Sequence, residues 1–297
     1  MAAALSLFEQ NAFADETIAL LDAAFADPNG YVIGITGPPG AGKSTLINSL
    51  LTHWRGAGLT VAVLAVDPSS KATGGALLGD RVRMRTDPAD RGVFVRSVAA
   101  RGRLGGLADI AYPAAVLLRA VYDKVIVESV GVGQSETDID TVSDTVVLCI
   151  QPGSGDSLQF MKAGIVEIPD IAVVTKADMG PVASRALADL QGALGLAHRE
   201  SDVFEPLCVP VSALRGSGFS ELLSAFEAHR VWLANEGRLA HSRQIQARHW
   251  LRSEVLTNFG RQGIEAVRGE LIADVISKPF HDARQLLGRL RVSLSVL

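Results

Sequence analysis

The stretch that most restricts this chain is GITGPPGAGKST, residues 34–45, which follows directly on an apolar run. Gly37, Gly40, Ala41, Gly42, Lys43 and Ser44 fall in the pattern G-x-x-x-x-G-K-[ST]. That pattern needs a strand before it and a helix after it, and both are predicted here. Glycines let successive backbone N–H groups turn inward as an anion nest. A helix beginning near Lys43 adds the positive end of its dipole. Lys43 is placed for the β- and γ-phosphates, the Ser44 hydroxyl for Mg2+, and Thr45 for the α-phosphate.

The rest of the chain supplies matching layers. Val/Ile/Leu runs at 31–36, 60–66, 93–98, 124–129, 144–150, 171–176 and 206–212 read as strands. Most are continuous rather than alternating, as in a mostly parallel sheet buried on both faces. Helical spacing is predicted over 16–27, 43–57, 107–122, 156–166, 182–194 and 219–233. The expected fold class is α/β: a P-loop NTPase with a mostly parallel, doubly wound sheet and a helical C-terminal extension. The expected division is an N-terminal helical segment (1–30), a P-loop domain (31–235) and a helical arm (236–297). In the arm, apolar spacing suggests helices through Trp250–Phe259, Ile264–Val275 and Leu286–Leu294, the last two separated by Pro279. Spacing alone leaves open whether they pack on their own domain or on another subunit.

Composition narrows the partners. The 297 residues are 48 % hydrophobic with a formal net charge of −4, so nucleic acid is not expected. The charge is uneven: residues 238–297 hold ten Lys and Arg against five Asp and Glu, leaving 18 against 27 in the remainder. Cys149 and Cys208 lie in apolar runs and read as buried small hydrophobes of a reducing compartment. No run is long enough to span a bilayer, and the N-terminal segment lacks the features of a secretory signal. A cytoplasmic protein with no membrane partner is expected.

The base is read elsewhere. In TKAD (175–178) a carboxylate at Asp178 accepts hydrogen bonds from guanine N1–H and its exocyclic amine, whereas adenine N1 would repel it. Leaving a buried polar group unpaired costs ~1–3 kcal/mol, and more for a charge. Lys176 is expected to lay its stem along the purine. The SAL segment, Ser212, Ala213 and Leu214, ends a later strand; there the Ala213 N–H is placed for the guanine oxygen. Glu128, closing a strand, is expected at the metal, directly or through water. Gly131 is expected to bring its N–H to the γ-phosphate, in a loop (129–137) ordered by triphosphate. Asp67 and Asp80 are candidates to complete the metal shell or orient the attacking water. A third glycine-rich loop, 151–164, reads either as a structural turn or as a reporter of nucleotide state.

Three segments, VDPSS…TGGALLGDRVRM (66–84), ESVGVGQSE (128–136) and QPGSGDSLQFMKAGI (151–165), together resemble the MeaB/ArgK GTPases. These are the G-protein chaperones of adenosylcobalamin-dependent acyl-CoA mutases, with a human relative in the methylmalonic aciduria type A protein. The resemblance implies a slow GTPase that docks on such a mutase, gates cofactor loading, and protects or reactivates the enzyme. It implies Mg2+ and GTP or GDP as ligands, with no cobalamin site of its own. It places Lys43, Ser44, Asp67, Asp80 and Glu128 at phosphate, Mg2+ and water, Asp178 at guanine, and mobile switch loops near 69–91, 129–137 and 151–164. It favours a homodimer formed through the arm. Thr175 stands where Asn is usual, so a contact that steadies the phosphate loop is expected to be altered. No arginine finger is identifiable; Arg81, Arg83 and Arg85 are candidates. Two alternatives share the phosphate loop: a metal-insertion (nickel-type) maturation GTPase, which needs Cys/His clusters that the sequence lacks, and a P-loop kinase.

Overall fold

The computed structural model describes residues 1–68, 87, 89–100, 107, 110–129, 138–153, 167–196, 203–272 and 275–294. The elements, in order, are α1 (Ala2–Gln10), α2 (Asp15–Ala26), β1 (Tyr31–Thr36), α3 (Lys43–Gly56), β2 (Val61–Pro68), β3 (Val93–Ala100) and α4 (Ala111–Arg119). Then come β4 (Lys124–Glu128), β5 (Thr145–Ile150), β6 (Ile171–Val174), α5 (Pro181–Leu196), β7 (Leu207–Pro210), α6 (Phe219–Ala234), α7 (Arg238–Ala266) and α8 (Pro279–Leu294). The seven strands form one sheet in the order β3-β2-β4-β1-β5-β6-β7, and every neighbouring pair is parallel. The expected strands and fold class are therefore found.

Alternation along the strands divides the interior. On one face Val32, Leu64, Val125, Val127 and Val146 pack under α1, α2, α4, α7 and α8. On the other, Ile33, Ile35, Val63, Ile126 and Val147 meet Leu46, Ile47, Leu50 and Trp54 of α3 and Leu222 and Phe226 of α6. Towards the β6 side, Leu148, Ile150 and Val174 receive Leu190 and Leu194 of α5. Burial on both faces is why these strands read as unbroken apolar runs. Gly34 interrupts one of them because a Cβ there would lie 2.3 Å from Ser143 Oγ and 2.5 Å from Ile139 Cγ1.

The arm packs against its own chain. Trp250 of α7 stacks on Tyr112 of α4 (5.5 Å between centroids) and meets Phe280 of α8 at 4.6 Å. Asp22 of α2 accepts hydrogen bonds from the N–H groups of Phe280 (3.1 Å) and His281 (3.2 Å), capping α8 from another element. Arg243 of α7 donates two hydrogen bonds to the fully buried Asp144 carboxylate (2.8 and 2.7 Å) and one to the Gly30 carbonyl (2.9 Å). Asp144 also accepts the Val32 N–H at 2.8 Å, so the pair ties the arm to β1. Val275 (74 % exposed) and Val292 (69 %) are among the apolar side chains the arm leaves in solvent.

Several expected boundaries differ. The spacing Ile264–Val275 does not form one helix. Helix α7 runs to Ala266 with a break at Gly260 (φ 61°, ψ −157°), and only a 3-10 turn, Glu270–Ile272, follows. The expected helix at 107–122 shortens to α4. Strand β6 stops at Val174, because Lys176 adopts a left-handed conformation (φ 51°, ψ 40°). The expected helix at 156–166 lies outside the described residues.

Candidate functional site

The chain leaves β1 towards β2 and β5 towards β6, in opposite directions along the sheet. A crevice at the carboxyl ends of two such strands is where open α/β sheets bind ligands, and the phosphate loop issues from β1 at that point. Gly37 has φ 134°, and a Cβ there would come within 2.1 Å of the Cys149 carbonyl oxygen. Only glycine lets the loop pass the end of β5 this closely. Gly42 (φ 87°) sits at the N-cap of α3, a left-handed position that a side chain would strain. The buried Lys43 ammonium donates to the carbonyls of Gly37 (2.7 Å) and Pro38 (3.3 Å), held across the mouth of the loop.

Two of the expected metal residues come together. Ser44 Oγ donates to Glu128 Oε1 at 3.2 Å. Glu128 is the last residue of β4 and only 3 % exposed. A hydroxyl and a carboxylate oxygen within one hydrogen bond of each other are hard donors in shared reach of one small cation, so this pair fits Mg2+. The exit of β4 is pinned to that of β1: Ser129 Oγ donates to Thr36 Oγ1 (2.8 Å), and its N–H donates to the Ile35 carbonyl (3.0 Å). Asp67 lies at the end of β2, paired in register with Ala99. Asp80, Gly131 and the arginines at 81, 83 and 85 lie outside the described residues, as do 69–86, 88, 130–137 and 154–164 of the expected switch loops.

The expected base reader is a second rigid constellation. Asp178 Oδ1 accepts a hydrogen bond from the fully buried Ser212 hydroxyl at 2.5 Å. This bond, above all, holds the Asp178 carboxyl below the usual carboxylate range, with its own backbone N–H and Arg215 adding to the effect. Ser212 Oγ in turn accepts the Arg215 N–H (3.2 Å). Backbone bonds between Ser212 and Ser217 (3.0 and 3.2 Å) close the loop that carries Ala213 and the exposed Leu214.

Thr175 joins the two halves. Its hydroxyl donates to the Ala41 carbonyl of the phosphate loop (2.7 Å) and approaches the Ile150 carbonyl of β5 (3.0 Å). Its side chain packs 3.5 Å from the position of a Cβ on Gly42. The expectation of an altered contact therefore takes a definite form: a hydroxyl steadies the loop where an amide is usual. Next to it, Lys176 Nζ donates to the Gly40 carbonyl (3.3 Å) and to Gln151 Oε1 (2.5 Å). Gln151 was not among the expected site residues; its position directly after a strand in QPGSG was the available signal. Cys149, buried beside the loop, has its thiol pushed up to about 12 by burial, and Cys208 to about 11. Both are free thiols, as expected of packing residues.

Thr45 lies exposed in the first turn of α3. Among the described residues there is no group of three or more His, Cys, Asp or Glu able to hold a metal. None of their helices is long and apolar enough to cross a membrane.

Known proteins share this architecture and this sequence. A crystal structure described as LAO/AO transport system kinase superposes with a TM-score of 0.67 at 29 % identity, covering 98 % of this chain and 92 % of that one. The hydrogenase maturation factor HypB of Archaeoglobus fulgidus gives 0.52 at 17 % identity over 74 % of this chain and 98 % of its own, a likeness of fold alone. A putative GTPase of Pyrococcus abyssi is 48 % identical over 222 residues, 73 % of this chain and 67 % of that protein. GTPase ArgK of Escherichia coli is 40 % identical over 75 % of this chain and 68 % of its own. The mitochondrial methylmalonic aciduria type A homolog of Mus musculus is 38 % identical over 75 % of this chain and 55 % of its own length. Residues 1–266 match the family described as methylmalonyl Co-A mutase-associated GTPase MeaB. A phosphate loop on a seven-stranded parallel sheet, with that match over most of its length, makes this chain a P-loop GTPase of the MeaB family.

Proposed function

We propose that the chain binds GTP along the carboxyl rim of its sheet, hydrolyses it, and acts as a chaperone on an adenosylcobalamin-dependent acyl-CoA mutase, gating cofactor loading and protecting or reactivating the mutase. The observation that carries the nucleotide part is the single connected rim, from Lys43 and Ser44–Glu128 through Thr175 to Asp178–Ser212. Membership of the MeaB family and 38 % identity to a methylmalonic aciduria type A homolog support the mutase as partner.

In this reading the loop N–H groups and Lys43 neutralise the triphosphate, and Asp178 with the Ala213 N–H selects guanine. Ser44 and Glu128 would hold Mg2+, with Asp67 and Asp80 completing its shell or orienting water; the ion, when bound, neutralises charge on the phosphates. Water attacks the γ-phosphorus in line, the bond to the β-bridging oxygen breaks, and GDP and phosphate leave. Positioning does most of the work. Turnover by the chain alone is slow, below the roughly 10 s⁻¹ of a typical metabolic enzyme. The chain acts as a homodimer, in which exposed apolar residues of the arm such as Val275 are available to a second copy.

The test is co-purification of the chain with candidate acyl-CoA mutases, with and without a non-hydrolysable GTP analogue. Nucleotide-dependent capture of a mutase is expected. Equal affinity for ATP and GTP would remove the base assignment, and failure to capture any adenosylcobalamin-dependent mutase would remove the partner.

A further inference from the structure

We propose that Gln151 is a positioning residue for the nucleotide: its carboxamide oxygen fixes the Lys176 ammonium at the mouth of the phosphate loop, so that the lysine stem is set in place before a guanine base arrives. This rests on the reading above that the base lies over Lys176 and is selected by Asp178.

The argument starts from the lysine. Its backbone is left-handed (φ 51°, ψ 40°), a conformation rare for residues with a Cβ. Such a conformation persists where the surroundings over-determine it, and here they do. Thr175 before it is locked by hydrogen bonds to Ala41 and Ile150, and the Ala177 N–H after it donates to the Val211 carbonyl at 3.1 Å. The backbone therefore aims the side chain, but an exposed four-carbon stem still has free rotamers. Two acceptors remove that freedom: the Gly40 carbonyl at 3.3 Å and Gln151 Oε1 at 2.5 Å.

The two acceptors come from different elements. Gly40 belongs to the phosphate loop. Gln151 follows Ile150, the last residue of β5, and β5 lies between β1 and β6 in the sheet. Residue 151 is thus held by the core on its N-terminal side. Pro152 and Gly153 (φ 74°) then turn the chain away. The carboxamide stands on a fixed base and holds an otherwise mobile cation. A plate already in position spares the bound state the ordering that a free lysine stem would need. The contact acts on the base end of the nucleotide and not on the γ-phosphate. It therefore affects GTP and GDP alike, and acts on binding rather than on the chemical step.

The test uses the full chain with Mg2+ and a fluorescent GDP. Gln151→Ala is expected to raise the GDP dissociation rate and the KM for GTP roughly three- to tenfold, with a smaller change in kcat. Gln151→Glu keeps an acceptor, now charged, and is expected to restore parental binding. In a double-mutant cycle, Gln151→Ala is expected to add nothing in a Lys176→Met background, whatever either change does to stability. Additive effects in that cycle overturn the proposal, as does a Glu variant as weak as the Ala variant. A separate arm tests the reading beneath it: Asp178→Asn is expected to move preference from guanosine to xanthosine diphosphate, because Asn can donate to the C2 carbonyl of xanthine. No change of preference sinks the base assignment itself. A switched preference with an additive cycle sinks only the role of Gln151.

Discussion

Replacing Thr175 by Val removes one hydroxyl and keeps the branched shape. In the parent that hydroxyl donates to the Ala41 carbonyl at 2.7 Å, from a residue only 6 % exposed. Water has little access to take its place, so the Ala41 carbonyl loses a donor. An orphaned buried acceptor costs about 1–3 kcal/mol. Ala41 lies between the two glycines whose left-handed geometry shapes the anion nest (Gly40 φ 79°, Gly42 φ 87°), so the cost falls on the loop itself. If it is felt wholly in nucleotide binding, at 1.4 kcal/mol per decade, GDP and GTP bind about five- to a hundredfold more weakly. Equilibrium anisotropy with a fluorescent GDP measures this, with a thermal melt showing how much is felt by the fold instead. Thr175→Ser keeps the hydroxyl and is expected to bind within about threefold of the parent, since it loses only a methyl group. Val and parent binding equally with equal melting temperatures would refute the reasoning. So would Ser proving as harmful as Val.

Other outcomes follow from the same geometry. Lys43→Ala removes the cation at the loop mouth and is expected to abolish measurable triphosphate binding by calorimetry while leaving the circular dichroism spectrum unchanged. Burial pushes His229 down to about 4 from its ordinary 6.5, outweighing the opposing charge of Asp144. Its contribution to stability is complete above pH 6.5 and is lost as pH falls towards 4, because only the unfolded chain then takes up the proton. The loss reaches about 3 kcal/mol, and a His229→Gln variant should show a shallower pH dependence in urea unfolding. Arg243→Met leaves Asp144 charged and unpaired in the interior and should cost about 3–5 kcal/mol, whereas Arg243→Met with Asp144→Leu should recover much of it. Asp22→Ala removes the cap of α8 and should cost about 1 kcal/mol, read from the shift in urea midpoint.

The phosphate loop was legible because its chemistry leaves few substitutions: Gly37 and Gly42 occupy conformations and approaches that other residues cannot share. The strands were legible because burial on both faces forces unbroken Val/Ile/Leu runs, as in β1, where all six residues are buried. What joins Asp144 to Arg243, 99 residues apart, leaves no local trace; each reads alone as an ordinary surface charge. The break at Gly260 falls in the gap between the expected helices Trp250–Phe259 and Ile264–Val275; what spacing could not show is that the helix resumes after it only as far as Ala266. At Thr175 the sequence marked a departure, but which atom would replace the amide depended on how closely β6 approaches the loop. Gln151 was missed because its role arises from Lys176 turning left-handed, a backbone event that the run IAVVTK conceals by looking like continuous strand.

The cap that Asp22 places on α8 has a consequence for synthesis. One face of the sheet is roofed by α1 and α2 from the beginning of the chain and by α7 and α8 from its far end. While the ribosome is still making the strands, Val32, Leu64 and Val125 have only part of their cover. That face stays partly exposed until residues near 290 have cleared the exit tunnel, so a stalled nascent chain should recruit holdase chaperones up to that point and release them soon after.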